Sequence, residues 1–249
     1  MKVAFCISGL FKPSTTYSTA YENKFSYLVN KIKQYNADVF IYSFSKEIES
    51  EIVNIFNPKI YQIERQENFS NEIDDIYHIL DKTTAKKVFS FFYSRKKVCE
   101  LKNQFAKNNN VKYDIIVLCR PDLGYISTEN FEIPDLNKID NNYLYSMYWN
   151  QLNAGLADWF FISNNENIDF ISRIYDKLLI YLKEDSDYQK CITSGFPYSN
   201  SENRFSQEIF NQKPQSTEKI NKIHMLNQHL LIKYFLLENN KFCLKFLKF

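Results

Sequence analysis

Apolar residues in this chain come in short unbroken blocks, and the stretches between the blocks carry them at helical spacing. Lys2 to Ser8 is one block, broken by Gly9 and Pro13, and reads as a first strand with its C-terminal loop. Tyr21 to Tyr35 sets Phe25, Leu28, Val29 and Ile32 near helical period and closes at Asn36. Asp38 to Tyr42 is a second block, Lys46 to Phe56 is again helical, and Lys59 to Ile63 is a third block behind Pro58. This alternation predicts a wound α/β fold built on a parallel sheet.

Thr84 to Asn108 predicts a long helix with a basic patch at Arg95, Lys96 and Lys97. The most informative block follows. Ile115 to Cys119 is short and rich in β-branched residues, and it stops abruptly at Arg120-Pro121-Asp122. Such a run predicts a strand buried on both faces of a parallel sheet. Asn130 to Asn142 is loop-like, with Pro134. Tyr143 to Tyr148 and Asp158 to Ile162 read as two strands flanking Asn150-Gln151-Leu152-Asn153-Ala154-Gly155. Ile168 to Leu182 predicts an amphipathic helix, Cys191 to Asn203 a loop, Arg204 to Asn211 a helix and Lys219 to Leu226 a last strand. The tail from Gln228 is apolar and basic.

Composition narrows this picture. At 249 residues and 29.8 kDa the chain fits one large α/β domain, or one with a small appendage. A hydrophobic content of 45% is ample for a core and excludes wholesale disorder. Only 4 glycines occur, so neither common Gly-rich phosphate loop is present. The net charge of +2 argues against a dedicated nucleic-acid binder. Cys6, Cys99, Cys119, Cys191 and Cys243 show no metal or redox spacing and read as buried free thiols of a reducing cytosol. The N-terminal run turns polar at Ser8, too soon for a signal peptide, and no run reaches bilayer length. A cytoplasmic protein is expected.

Four constellations carry candidate chemistry. In open α/β sheets ligands bind beyond the carboxyl ends of strands, and Arg120 with Asp122 stands at such an end. The functional reading gives Arg120 a phosphate or carboxylate and Asp122 a divalent metal; the structural reading is a strand-end salt bridge and a turn. Ser8-Gly9-Leu10-Phe11-Lys12 follows the first strand. Its backbone can approach a base or ribose, with Phe11 stacking on the base, or it is simply a strand-to-helix loop. Asn153-Ala154-Gly155 precedes Asp158-Trp159, where Gly155 allows close approach of a sugar. A carboxylate opening an apolar strand is costly unless paired or used, so Asp158 is either catalytic or structural. Glu202 lies near a predicted helix N-terminus, as a general base for an acceptor hydroxyl or as a dipole-compensating residue. His224 and His229 lack the spacing of a helical zinc pair. The tail from Leu230 to Phe249 reads as a closing helix with an edge strand, the alternative being peripheral contact with an acidic membrane surface.

Taken in order, several of these segments resemble GT-A-type glycosyltransferases, and more narrowly the small sugar transferases of bacterial capsule and lipopolysaccharide clusters. The segments are Val3-Ala4-Phe5-Cys6-Ile7-Ser8-Gly9, Asp38-Val39-Phe40-Ile41-Tyr42, Phe92-Tyr93-Ser94, Tyr113-Asp114 through Arg120-Pro121-Asp122, and Asp158-Trp159-Phe160-Phe161-Ile162-Ser163. The resemblance spans roughly residues 1 to 210. It implies a GT-A-like (Rossmann-like), mostly parallel central sheet flanked by helices. It further implies a nucleotide-binding half over about 1–126, an acceptor half over about 127–226 and a C-terminal tail over 227–249.

Carried onto this chain, the resemblance makes Asp122 the metal-binding aspartate and His224 a late ligand that completes the metal shell. Asn153 and Gly155 fall in the donor loop, Glu202 faces the acceptor, and Ser94 and Lys97 reach the donor phosphates. The chain departs from the family pattern in lacking Asp-x-Asp: Arg120 stands where a first carboxylate would be, and Gly124 where the partner of Asp122 would be on the other side. Either the metal has fewer protein ligands, or Arg120 and lysines neutralise the leaving diphosphate in its place.

The expected function is transfer of a sugar from a UDP-, GDP- or CMP-linked donor to a hydroxyl of a glycan or lipid-linked acceptor. Mn2+ or Mg2+ would assist, and Glu202 or Asp158 would act as base, at the inner face of the membrane or in the cytoplasm. The alternatives are a non-catalytic nucleotide- or glycan-binding protein of the same fold, or transfer of a non-sugar substituent.

Overall fold

The computed structural model of the protein describes residues 1–11, 21–66, 69–76, 82–123, 133–147, 158–194, 228–239 and 244–247. Seven strands are described: β1 (Val3–Ser8), β2 (Asp38–Ser43), β3 (Ile60–Ile63), β4 (Ile115–Cys119), β5 (Leu144–Met147), β6 (Phe160–Ser163) and β7 (Leu244–Leu247). The helices are α1 (Tyr21–Gln34), α2 (Glu49–Phe56), α3 (Ser70–Asp74), α4 (Lys82–Asn108), α5 (Asn165–Ser172), α6 (Ile174–Tyr181), α7 (Asp187–Ser194) and α8 (Gln228–Asn239). All seven strands join one sheet in the order β3-β2-β1-β4-β6-β5-β7. β1 pairs in parallel with β2 and β4, β2 with β3, and β5 with β7, whereas β6 runs antiparallel to both β4 and β5. The protein is therefore α/β with a mixed, mostly parallel sheet flanked by helices.

Side chains alternate across each strand, and the two rows build two cores. Ala4, Cys6, Phe40, Tyr42, Ile116, Leu118 and Phe161 meet α4, α5, α6, α7 and α8 on one face. Val3, Phe5, Ile7, Val39, Ile41, Val117, Phe160 and Ile162 meet α1 and α2 on the other. β4 is buried along its whole length, as its composition predicts, although one of its neighbours is antiparallel. Continuing the same alternation, Ser8 and Arg120 extend the row that faces α4. Asparagines end the helices cheaply: Asn36, Asn57 and Asn110, just beyond α1, α2 and α4, each take a positive φ.

Several boundaries differ from the periodicity. The helix predicted over Ile168 to Leu182 starts earlier, because Asn164 caps it by accepting from the Asn167 N–H at 2.9 Å. It is also broken at Arg173, whose N–H bonds the Phe170 carbonyl in a tightened turn. The Lys46 helix begins as a 3-10 turn (Lys46–Ile48), and the strand expected from Asp158 starts at Phe160. Cys191 to Ser194, expected in a loop, close α7, and α3 forms where the periodicity predicts no element. The tail forms a helix and a strand at the sheet margin, α8 and β7. The predicted elements at Arg204 to Asn211 and Lys219 to Leu226 lie outside the described residues. Cys6, Cys99 and Cys119 are buried and free. No helix among the described residues is long and apolar enough to cross a membrane.

The amino edge of the sheet is closed by a charged cluster. The buried Asp38 carboxylate pairs with Lys2 at 2.8 Å and accepts from the Tyr113 hydroxyl at 2.8 Å, with Lys59 at 3.7 Å. Burial alone would raise its pKa, but the hydrogen bonds from Lys2 and Tyr113 and the two lysine charges hold it below the usual aspartate value. A depressed carboxylate contributes stability above its unfolded pKa and loses it as the pH falls through the folded one. Asp38→Asn should therefore cost ~2 kcal/mol near neutrality. The gap from wild type should begin to close only below about pH 4 and vanish as the pH falls through the lower folded value, as read from urea unfolding at pH 7 and in acid.

Candidate functional site at the carboxyl edge of β1 and β4

From β1 the chain steps outward to β2 and β3. It then crosses through α4 to β4 on the opposite side of β1. The strand order thus reverses between β1 and β4, and such a switch point opens a crevice beyond the carboxyl ends of the two strands. The residues found there are Ser8-Gly9 and Arg120-Pro121-Asp122.

Gly9 has a φ of +122°, a conformation side-chain-bearing residues rarely adopt, and its N–H bonds the Tyr42 carbonyl at 3.3 Å. A Cβ placed on Gly9 would lie 3.5 Å from Pro121 Cδ, so the two loops are in contact across the switch point. Ser8 is 3% exposed, and its Oγ is buried with no hydrogen-bond partner. It is the sole buried side-chain polar atom in that condition among the described residues. An orphaned buried hydroxyl costs free energy and needs a reason.

The charges form an alternating chain. Arg120 grips Asp122 with two parallel bonds, Nε to Oδ1 at 2.9 Å and Nη2 to Oδ2 at 2.5 Å. Its Nη1 reaches Asp158 Oδ2 at 3.3 Å, and its N–H bonds the Trp159 carbonyl at 3.0 Å. Asp158 is 1% exposed. Behind it Arg95, on α4 and itself buried, donates to the Asp158 carbonyl oxygen while its guanidinium lies over the rings of Phe91 and Phe161. Burial pushes the Arg95 pKa down to about 10, with the Asp158 charge opposing and Arg120 reinforcing the fall. Arg120 is shifted the other way: burial disfavours its charge, but the bonds and charges of Asp122 and then Asp158 more than offset this. The Cys119 thiol is pushed up to about 12 by burial, the state of an inert structural cysteine.

The remaining predicted site residues divide three ways. Phe11 does not present its ring at the strand edge; it packs in the core against Phe25 and Phe56 at centroid distances of 5.6 and 5.7 Å. Ser94 is buried and donates to the Phe91 carbonyl within its own helix. Lys97 bonds Glu100 at 3.0 Å and lies over the Tyr93 ring; the Glu100 bond holds its pKa above the usual lysine value. The basic patch is therefore not one patch. Arg95 points into the protein, Lys96 pairs with Asp176 and Lys97 with Glu100. Asn153, Gly155, Glu202 and His224 lie outside the described residues.

Arg95 was missed as a site residue because its neighbours in sequence are lysines. The available signal was its place on the apolar stripe of α4, one turn from Phe91, Phe92, Val98 and Cys99.

The donor set can be tested for a divalent cation. Both Asp122 oxygens already accept from Arg120, so a dication on Asp122 would sit beside a guanidinium. The next carboxylate, Asp158, is buried and turned to the same guanidinium. Among the described residues, no three His, Cys, Asp or Glu side chains gather as a metal-holding group. As arranged, Asp122 leaves no free carboxylate oxygen for a cation, and the Nε–Nη2 edge of Arg120 could take an oxyanion only in place of Asp122. A separate hollow of about 320 Å³, lined by Tyr181, Tyr188, Tyr234, Asp185 and Glu238, shares no residue with this edge.

The orphaned hydroxyl supplies a ligand-free test. Ser8→Ala should leave thermal and urea stability unchanged or raise it by up to about 1 kcal/mol, since it removes a buried group with nothing to bond. A loss of more than that would show that Ser8 Oγ is satisfied within the fold. In comparisons with known proteins, the chain matches no protein-family model and no curated protein.

Proposed function

We propose that the protein is a glycosyltransferase that moves a sugar from a nucleotide-sugar donor to a hydroxyl of a cell-surface glycan of capsule or lipopolysaccharide type. The observation that carries this reading is the meeting of Ser8-Gly9 with Arg120-Pro121-Asp122 at the β1–β4 switch point. That is where an α/β sheet receives a nucleotide. The mostly parallel sheet with helices on both faces supports a GT-A-type arrangement, and the ordered segments named from the sequence support it independently.

On this reading the Ser8 hydroxyl and the Gly9 backbone hold the nucleoside end of the donor. Arg120 receives the diphosphate. As the glycosidic bond breaks, negative charge grows on the departing nucleoside diphosphate, and a fixed guanidinium stabilises it without reorganising. Arg120 is held for this task by Asp158, and Asp158 by Arg95. The acceptor hydroxyl loses its proton to a carboxylate, for which Glu202 is the proposed base. Asp158 serves better as the anchor of Arg120, because its carboxylate is 1% exposed and already engaged. The free buried thiols accord with a reducing compartment, and we place the reaction in the cytoplasm.

Calorimetry with UDP, GDP and CMP, with and without Mn2+, tests the reading. One nucleotide should bind, and Arg120→Lys should weaken it about ten-fold, since lysine keeps the charge and loses the two-pronged grip. Arg120→Lys is preferred to Arg120→Ala because it leaves Asp158 a counter-charge. Failure of all nucleotides to bind would refute the proposal; binding with no transfer to any glycan acceptor would favour a non-catalytic binding protein.

A further inference from the structure

The Arg120–Asp122 pair has the form of a receptor already holding its ligand. Two parallel N–H···O bonds from one guanidinium edge to two oxygens of one group is the way arginine takes a phosphate or a carboxylate. Here the carboxylate comes from the protein itself, two residues along the chain. Pro121 presets the intervening turn, and the Leu123 N–H closes it on the Arg120 carbonyl at 3.3 Å. The tether makes Asp122 a competitor at high effective concentration.

We propose that Asp122 is a built-in occupant of an anion seat on Arg120, displaced by the pyrophosphate of the donor, and that this seat works without a cation on Asp122. The inference rests on the nucleotide-sugar reading given above and specifies how that site recognises phosphate.

Three features of the edge support exchange. Asp122 has a side chain 36% exposed, so once released it can turn to water, whereas Asp158 at 1% cannot. Arg120 need not move, because Nη1 remains on Asp158 and the backbone remains on the Trp159 carbonyl. Asp158 is not left as a lone buried charge at any stage, since Arg95 stays beside it. The orphaned Ser8 hydroxyl, at the same switch point and on the same α4-facing row, is a separate sign that a polar ligand completes the edge.

The exchange also sets selectivity. A singly charged carboxylate offers Arg120 nothing that Asp122 does not already supply, and Asp122 has the advantage of its tether. A pyrophosphate carries several charges and more acceptor oxygens, so it can both displace Asp122 and reach further donors at the edge. The seat therefore takes multiply charged phosphoanions and refuses simple carboxylates.

The test uses the full chain and inorganic pyrophosphate as probe, by calorimetry in EDTA, with acetate as the comparison anion. Wild type should bind pyrophosphate and not acetate, and Asp122→Asn should bind pyrophosphate about two- to five-fold tighter, as expected for removing a partly exposed internal ion pair. Asp122→Ala serves as the second variant, and thermal melting confirms that both remain folded. Weaker pyrophosphate binding by both variants, a need for Mn2+ in wild type, or no pyrophosphate binding by any form would each overturn the seat. The nucleotides are then run on the same proteins. Nucleotide binding by wild type that weakens in Asp122→Asn removes the seat and leaves the glycosyltransferase reading standing. Tightened pyrophosphate binding with no nucleotide binding keeps the anion seat but overturns its assignment to a donor, and with it the function.

Discussion

A guanidinium fixed at the mouth of a buried strand sets the terms for everything around it. Arg120 leaves β4 where the apolar run ends, too deep to be solvated on all sides, and its charge must be met by the protein or by a ligand. The fold meets it with two carboxylates of different kinds. Asp158 is buried and belongs to the permanent structure, backed by Arg95 and the aromatic faces of Phe91 and Phe161. Asp122 is at the surface of the same cluster and, among the described residues, is held through the guanidinium's outer edge and the turn. On the proposed reading, the division between a fixed and an exchangeable partner is what lets the edge take a donor.

The antiparallel insertion of β6 makes this possible. Because β6 runs against β4, its beginning lies beside the end of β4, and Asp158 and Trp159 arrive at Arg120 from the opposite direction. A wholly parallel neighbour would have delivered the end of a strand there instead. On the other flank, β1 brings Ser8 and Gly9 alongside, and the positive φ of Gly9 turns the chain back over Pro121. α4 crosses beneath and contributes Arg95. Four segments distant in sequence therefore meet at one switch point, each placed by ordinary strand and helix packing. At the far edge of the sheet Asp38 is tied to Lys2 and Tyr113, so the two ends of the same strands carry quite different charge arrangements.

Much of the architecture was legible in the amino-acid pattern, because buried strands are short apolar runs and little else imitates them. β1, β2, β4 and α4 match their blocks closely, and the end of β4 at Arg120-Pro121-Asp122 marks the site edge directly. What stayed hidden depends on pairing. Nothing in the composition of Phe160 to Ser163 reveals that this strand runs against β4, since direction is a property of the neighbours. The break at Arg173 is a single tightened turn that hydrophobic period does not register. At the site, Ser8, Gly9, Arg120, Asp122 and Asp158 could be picked by their positions at strand ends, but their roles could not. The position of Asp122 does not reveal that both its oxygens accept from Arg120, nor does that of Phe11 reveal that the core takes its ring. Arg95 was concealed among lysines although its spacing on α4 placed it inside.

The most direct check is a crystal structure of the wild-type protein with a nucleoside diphosphate bound. Diphosphate oxygens should lie within about 3 Å of Arg120 Nε and Nη2, with the nucleoside end against Ser8 and Gly9 and Asp122 turned away into solvent. A nucleotide bound elsewhere, or a diphosphate held through a cation on Asp122 with the Arg120–Asp122 pair intact, would contradict that arrangement.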